Sequence, residues 1–293
     1  MKKNNTTSAL ILLFISFLFI EACTKEADNT NEINSSDIAL LPKKYDSACF
    51  LMTHNSMNCS EKSYAVPNQT YSISNQLNAG VRGLMLDTYD GADGVALTYH
   101  AIEALGSQKL VDVLQEVKAY LQQNTNAIIS IIFQNEGGNT QLEQAIDSIG
   151  LDAYTYTHTA GTAWPTIQNM VNNNQRLVLF VEKNKLPRAN YLMNAFSIIF
   201  DTKYEFSNVN QFNADLNRGT SGSKELYLVN HWLSGLLGLP DKNLAPQANA
   251  RAVVGKRVQD CSSTNNHFIN FLGVDFVEIG DAKAVVDSIN AAH

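Results

Sequence analysis

Two neighbouring stretches decide the fold class: Leu110-Val111-Asp112-Val113-Leu114-Gln115-Glu116-Val117-Lys118-Ala119-Tyr120-Leu121-Gln122 and, after a short polar break, Ala127-Ile128-Ile129-Ser130-Ile131-Ile132-Phe133. The first spaces its apolar residues for one face of a helix. The second is almost continuously apolar, as a strand reads when both of its faces are covered. The same alternation extends in both directions. Cys49 to Thr53, Val81 to Thr88, Val95 to Tyr99, Arg176 to Val181, Glu225 to Val229 and Phe268 to Val277 read as strands. Thr140 to Ile149, Trp164 to Asn173, Ala245 to Asp260 and Ala282 to Ala292 read as helices. Strand then helix, repeated, predicts an α/β fold with a mostly parallel sheet. A doubly wound sheet competes, but no GxGxxG or GxxxxGK[ST] follows any strand. The span from Cys49 to His293 suits the ~250 residues of a single-domain (β/α)8 TIM barrel.

The chain has 293 residues, with 21 Lys+Arg against 28 Asp+Glu and a net charge of −7. That balance leaves no broad basic surface for a phosphate backbone, so nucleic acid is not an expected partner. The expected state is a monomer. The N-terminus reads Met1-Lys2-Lys3, then an apolar run from Leu10 to Ile20, then Glu21-Ala22-Cys23. Charge, apolar core and small residue in that order predict a signal peptide over 1–22. A Cys directly after Ala22 resembles a bacterial lipoprotein signal, with lipidation at Cys23 and an anchor in the cell envelope; plain secretion is the alternative. Residues 23–44, polar and aperiodic at first, are expected to be a flexible tether. Lys25-Glu26-Ala27-Asp28 looks like the acidic tag of surface lipoproteins. The barrel is expected over 45–293.

Cys49, Cys59 and Cys261 form an odd set in a compartment that permits disulfides. Three pairings are open, and Cys49 with Cys59 is favoured. No CxxC or Cys/His cluster with zinc spacing is present.

Chemistry in a barrel sits where strands end. Those points carry His54-Asn55-Ser56, Asp87 with Tyr89-Asp90-Gly91, His100, Gln134-Asn135-Glu136, Glu182, Asn230-His231-Trp232 and Asp275. Imidazole changes charge near neutral pH, so His54 and His100 suit general acid and base roles. Taken singly, each reads more readily as a hydrogen-bonded core or surface histidine.

The local strings add to this. Thr53-His54-Asn55-Ser56, then Gln76-Leu77-Asn78-Ala79-Gly80-Val81-Arg82-Gly83-Leu84-Met85-Leu86-Asp87, then Tyr99-His100, resemble the X-region of phosphatidylinositol-specific phospholipase C. Trp164-Pro165-Thr166 before Arg176-Leu177-Val178-Leu179-Phe180, and Asn270-Phe271-Leu272-Gly273-Val274-Asp275-Phe276, resemble the extracellular PLC-like phosphodiesterases of that superfamily. The resemblance implies an irregular TIM barrel that cleaves a lipid-headgroup phosphodiester by internal hydroxyl attack. It implies His54 as base, His100 as acid, and Asp275 as the carboxylate orienting the base.

The calcium-dependent members place an Asn directly after the first His and an Asp at the position of Asp87. The resemblance therefore implies a Ca2+ site, with Mg2+ as the lesser alternative, on Asn55, Asp87 and Gln134. Two positions depart from that pattern: Met85 stands where those enzymes carry Glu, and Gln134 where they carry an acid. A thioether is a poor ligand for a hard cation, so Glu136, Glu182 or Asp90 would have to compensate. Two other readings stay open. One is a metal-dependent glycerophosphodiesterase-like hydrolase, although its His-Arg-Gly and Glu-Asn-Thr strings are missing. The other is a cell-surface binding module with weak turnover on the same barrel. The resemblance implies a phospholipid or glycerophosphodiester substrate. Arg82 is expected in a buried ion pair, Trp164-Pro165 at a helix start, and Leu233 to Leu239 in a core-packed loop with membrane contact as the alternative.

Overall fold

The computed structural model describes residues 35–293 apart from Asn184, Pro187 and Ser223. The expected signal peptide and Cys23 lie outside the described residues. Strands are β1 Phe50–Thr53, β2 Gly83–Asp90, β3 Ala96–Thr98, β4 Gln108–Lys109, β5 Ile129–Asn135, β6 Leu177–Val181, β7 Leu192–Asn194, β8 Ile199–Thr202, β9 Leu216–Arg218, β10 Leu226–His231 and β11 Phe271–Val274. Helices are α1 over 35–40, α2 Ile73–Asn78, α3 Leu110–Gln123, α4 Asn139–Ser148, α5 Ile167–Asn172, α6 Ala195–Ile198, α7 Ala245–Ala248, α8 Arg251–Asn265 and α9 Ala282–Ala292.

One curled sheet runs β7-β6-β5-β2-β1-β11-β10-β8-β9. From β7 to β8 every neighbouring pair on this path is parallel. The strands β7 and β8, at or near opposite ends of the path, are joined through the short α6 and share no ladder among the described residues. The barrel is thus open at that seam, the irregular (β/α) barrel the sequence predicts.

Alternation along the strands explains their continuous apolarity. Phe50, Met52, Ile128, Ile132, Val178, Phe180, Leu228 and Phe271 fill one core, inside the curl. Their neighbours Leu51, Leu84, Ile129, Ile131, Phe133, Leu179, Val229 and Leu272 belong to a second core, shared with Val113, Leu114, Val117 and Leu121 of α3 and Val285 of α9. The apolar residues of the strands thus alternate between the two cores.

Four expectations need correction. The run Val95 to Tyr99 is not a parallel barrel strand: β3 turns back antiparallel on β2, pairing Thr88 with Thr98 and Asp90 with Ala96. Apolar periodicity does not encode strand direction. The helix expected over Ala245 to Asp260 breaks into α7 and α8 around Asn249. There the side chain Nδ2 donates to the Asp275 backbone oxygen at 2.9 Å. Gly280, at φ +80°, passes so close to Asn249 that a Cβ would lie 2.4 Å from its backbone oxygen; only glycine fits.

The tether expected over 23–44 does not hold for its described part, because α1 lies within 35–40; residues 23–34 lie outside the described residues. Asp37 of α1 makes a bidentate pair with Arg82, at 2.8 and 2.7 Å, which confirms the buried ion pair expected for Arg82. Finally, Cys49, Cys59 and Cys261 are all buried and unpaired. Cys49 precedes β1 and Cys59 follows the turn after it, and no disulfide joins them. Burial pushes the Cys59 thiol up to about 11.

Candidate active site

His54 continues the inward face of Phe50 and Met52 one step past the end of β1. On the same side of their strands stand Asp87 of β2, Gln134 of β5, Glu182 after β6 and Asn230 of β10, and all of these line one cavity with His54. A wider cavity of ≈ 490 Å³ opens above it, lined by His54, His100, Asp275, Asn68, Tyr204 and Trp232 among others. Apolar residues fill the inside of the sheet below, and polar ones ring its mouth.

Both histidines are held by a carboxylate. His54 Nδ1 is 2.9 Å from Asp275 Oδ1, and Asn68 Nδ2 donates to Asp275 Oδ2 at 3.1 Å. Gln69 Nε2 donates to the backbone oxygens of His54 and Val274, at 2.9 and 3.0 Å, tying β1 to β11. The Trp232 indole stacks on the His54 ring, with centroids 3.9 Å apart and planes within 7°. Across the mouth, His100 Nδ1 is 3.1 Å from Asp87 Oδ2. The β2–β3 hairpin makes this contact: Thr98 pairs with Thr88, so a residue two further on returns to Asp87. Asn55 sits at φ +44°, a conformation asparagine tolerates better than most residues. That turn brings its Nδ2 to 3.1 Å from His100 Nδ1. A carboxylate on Nδ1 fixes the N–H there and leaves Nε2 as the nitrogen for substrate.

The structure therefore brings together His54, His100, Asp275, Asn55 and Asp87. Gln134 lies on the cavity wall, but its Nε2 donates to Glu136, whose carboxylate is tied to Lys183. Met85 packs inside the barrel: a Cβ at Gly273 would lie 3.0 Å from its terminal methyl. Glu182 is engaged by Arg218 at 3.0 Å, and burial raises its pKa. One carboxylate, Asp87, and two amides remain for a cation that takes 6–8 oxygens. No group of three acidic, histidine or cysteine side chains among the described residues is placed to hold a metal. The expected Ca2+ donor set does not fit that ion.

Sequence reading missed Asn68, the stacking of Trp232 on His54, and Arg218. Arg218, on the antiparallel β9, donates to Asp201 and Glu182 and reaches the cavity from outside any strand the sequence predicts. His231 is buried with Nε2 donating to the Ala248 oxygen at 2.9 Å, and burial pushes its pKa down to about 4. It has no place at the mouth. The loop expected to pack into the core is only half buried: Leu233 is inside, but Leu236 and Leu237 face solvent.

The fold is a parallel-rich β/α barrel with two carboxylate-held histidines at its mouth. The family described as PI-PLC X 1 matches residues 40–290, and the chain belongs to that family. It is 28% identical over 270 residues to PI-PLC X domain-containing protein 1 of Arthroderma benhamiae, covering 85% of this chain and 86% of that protein. It is 25% identical over 246 residues to an uncharacterized secreted protein of the same organism, covering 76% and 55%. The phosphatidylinositol-specific phospholipase C of Listeria monocytogenes superposes with a TM-score of 0.60 at 16% identity, over 88% of this chain and 98% of that one. A Staphylococcus aureus phosphatidylinositol-specific phospholipase C gives 0.62 at 16%, over 88% and 98%. These two share the fold. No helix among the described residues is long and apolar enough to cross a membrane.

Proposed function

We propose that this chain is a phosphodiesterase that cleaves a lipid-headgroup phosphodiester by His/His acid–base catalysis. The observation that carries the reading is the pair of imidazoles on one cavity, each with Nδ1 held by its own aspartate. In this reading, His54 Nε2 takes the proton from a headgroup hydroxyl next to the phosphate. The hydroxyl oxygen bonds to phosphorus, and the bond from phosphorus to the glycerol oxygen breaks. His100, protonated, gives that oxygen its proton from Nε2. The products are a cyclic phosphate and a neutral diglyceride. Asp275 keeps His54 in the right tautomer and stabilises the imidazolium as it forms. Asn55 Nδ2 and Asn68 Nδ2 are side-chain donors beside the two histidines, suited to the phosphoryl oxygens.

We read residues 1–22 as a leader and Cys23 as the lipid-bearing residue, so the enzyme works outside the cytoplasm, held on the cell envelope. The test is 31P NMR of phosphatidylinositol incubated with the protein. A five-membered cyclic phosphate signal supports internal attack. An acyclic phosphomonoester as the first product contradicts it.

A further inference from the structure

The open seam between β7 and β8 holds a cavity of ≈ 310 Å³, walled by Met193 and Asn194 of β7, Ser197 of α6, and Asn190, Arg188 and His158. None of its lining residues lines either cavity at the mouth. Across the seam, His158 Nε2 lies 2.6 Å from Glu225 Oε2. Two residues before His158, the Tyr156 N–H bonds to the Leu177 oxygen at the start of β6, and the Glu225 N–H bonds to the Ile198 oxygen just before β8. The imidazole and the carboxylate thus join the two sides of the gap where the ladder is missing.

The His158 side chain is fully buried. Its ring stacks on Trp164, with centroids 3.7 Å apart and an interplanar angle of 11°, and its backbone N–H bonds to the Met193 sulfur at 3.1 Å. Glu225 also accepts the Trp164 Nε1–H at 2.7 Å. A carboxylate on Nε2 fixes the N–H there and leaves Nδ1 as a lone-pair acceptor. That Nδ1 is buried and has no hydrogen-bond partner among the described residues. Buried polar atoms are nearly always paired, so an orphan acceptor on a residue lining a cavity marks the cavity as a place for a donor. The rest of the wall selects it. An anion would meet the lone pair and the Glu225 carboxylate, and a cation would meet the Arg188 guanidinium. A neutral hydroxylated ring meets neither conflict: it offers O–H groups to Nδ1 and oxygens to Arg188 and the side-chain amides. Ser197 Oγ already donates to Asn194 Oδ1 at 2.8 Å, so Asn194 contributes N–H donors. The volume lies at the small end for ligand pockets and suits one such ring.

We infer that the seam cavity binds a single sugar ring, with His158 Nδ1 accepting from one of its hydroxyls. The ring is a free sugar or the end unit of a glycan. The site is independent of the phosphodiesterase reading and gives the protein a second ligand.

The chain has two tryptophans, and they separate the two sites: Trp164 stacks on His158 and Trp232 on His54. Each indole N–H gives its own signal in a nitrogen–proton correlation spectrum of the full chain. Glucose, galactose, mannose and their methyl glycosides are titrated in, with inorganic phosphate and ethanolamine as ions of either sign. At least one sugar is expected to shift the Trp164 signal saturably in the millimolar range and to leave Trp232 in place. Binding of the methyl glycoside as well assigns the end of a glycan, and binding of the free sugar alone assigns the monosaccharide; either supports the site. His158→Phe, which keeps a ring on Trp164 and removes the acceptor, is expected to weaken binding at least tenfold. Ser197→Phe, at an exposed position on the wall, is expected to abolish binding by filling the cavity, with the unfolding temperature unchanged. No Trp164 shift with any sugar overturns the inference, as does a shift of Trp232 alone or a Trp164 shift with only phosphate or ethanolamine. Sugar binding that survives both substitutions overturns it too.

Discussion

The two ends of the barrel use the same bond for opposite purposes. At the base, Arg82 and Asp37 pair with side chains only 5% and 6% exposed. At the mouth, the carboxylates of Asp275 and Asp87 are equally buried, but their partners His54 and His100 are 22% and 41% exposed. A guanidinium stays charged throughout the working pH range and fits a carboxylate bidentately, so the base pair is fixed in one state. An imidazole has a second nitrogen and changes charge near neutral pH. A carboxylate thus anchors a helix at one end and, in the proposed mechanism, orients a proton carrier at the other. What separates structure from chemistry is the partner's ability to lose a proton and its view of the cavity.

The largest break in this comparison comes from the mouth. His54→Ala and His100→Ala are each expected to lower turnover of phosphatidylinositol by about 10²–10⁴-fold while leaving thermal unfolding nearly unchanged. Calorimetry alongside the assay checks both halves.

Asp37→Ala is expected to do the reverse. Removing one partner strands the Arg82 charge in the interior at about 3–5 kcal/mol, read as a lower denaturant midpoint, with turnover per folded molecule retained.

His231 sharpens the contrast, because it is a fully buried histidine without a carboxylate. Its folded pKa, about 4, lies below the ordinary 6.5, so the native state holds it neutral. Its stabilising contribution is present above pH ~6.5 and is lost as pH falls through about 4, about 3 kcal/mol in all. Acid unfolding of His231→Gln is expected to lack that part of the slope. The smallest effect is expected from excess chelator. The donor set at Asn55, Asp87 and Gln134 does not fit Ca2+, so turnover is expected to stay within about twofold. A loss restored by calcium contradicts that.

Much of the mouth was legible because barrel strands expose their C-terminal residues. The strings around His54, Asp87, His100 and Asp275 could be read one strand end at a time. Parity did the rest: His54 shares a face with Phe50 and Met52, and Asp87 with Met85. The illegible parts depend on contacts between distant segments. Asn68 reaches Asp275 across 207 positions, and no local pattern marks it. Arg218 arrives on an antiparallel edge strand of three residues, too short for periodicity to register. Strand direction escaped for the same reason. Val95 to Tyr99 reads alike in either orientation, and only the Thr88–Thr98 pairing shows that His100 returns to Asp87. The cysteines misled because their count and spacing do not show that all three side chains are buried without pairing. Asp37 was hidden by a polar context that reads as tether, until Arg82 supplies its partner.

The central claim is the division of labour between the two histidines. It is tested most directly by a change of leaving group. An inositol phosphodiester with a p-nitrophenolate leaving group needs no proton donor, whereas one leaving as a glycerol alkoxide does. With the natural group, His100→Ala and His54→Ala are both expected to lose about 10²–10⁴-fold. With p-nitrophenolate, His100→Ala is expected to regain most of its rate and His54→Ala none. Equal losses on both substrates, or rescue of His54→Ala instead, would contradict the account.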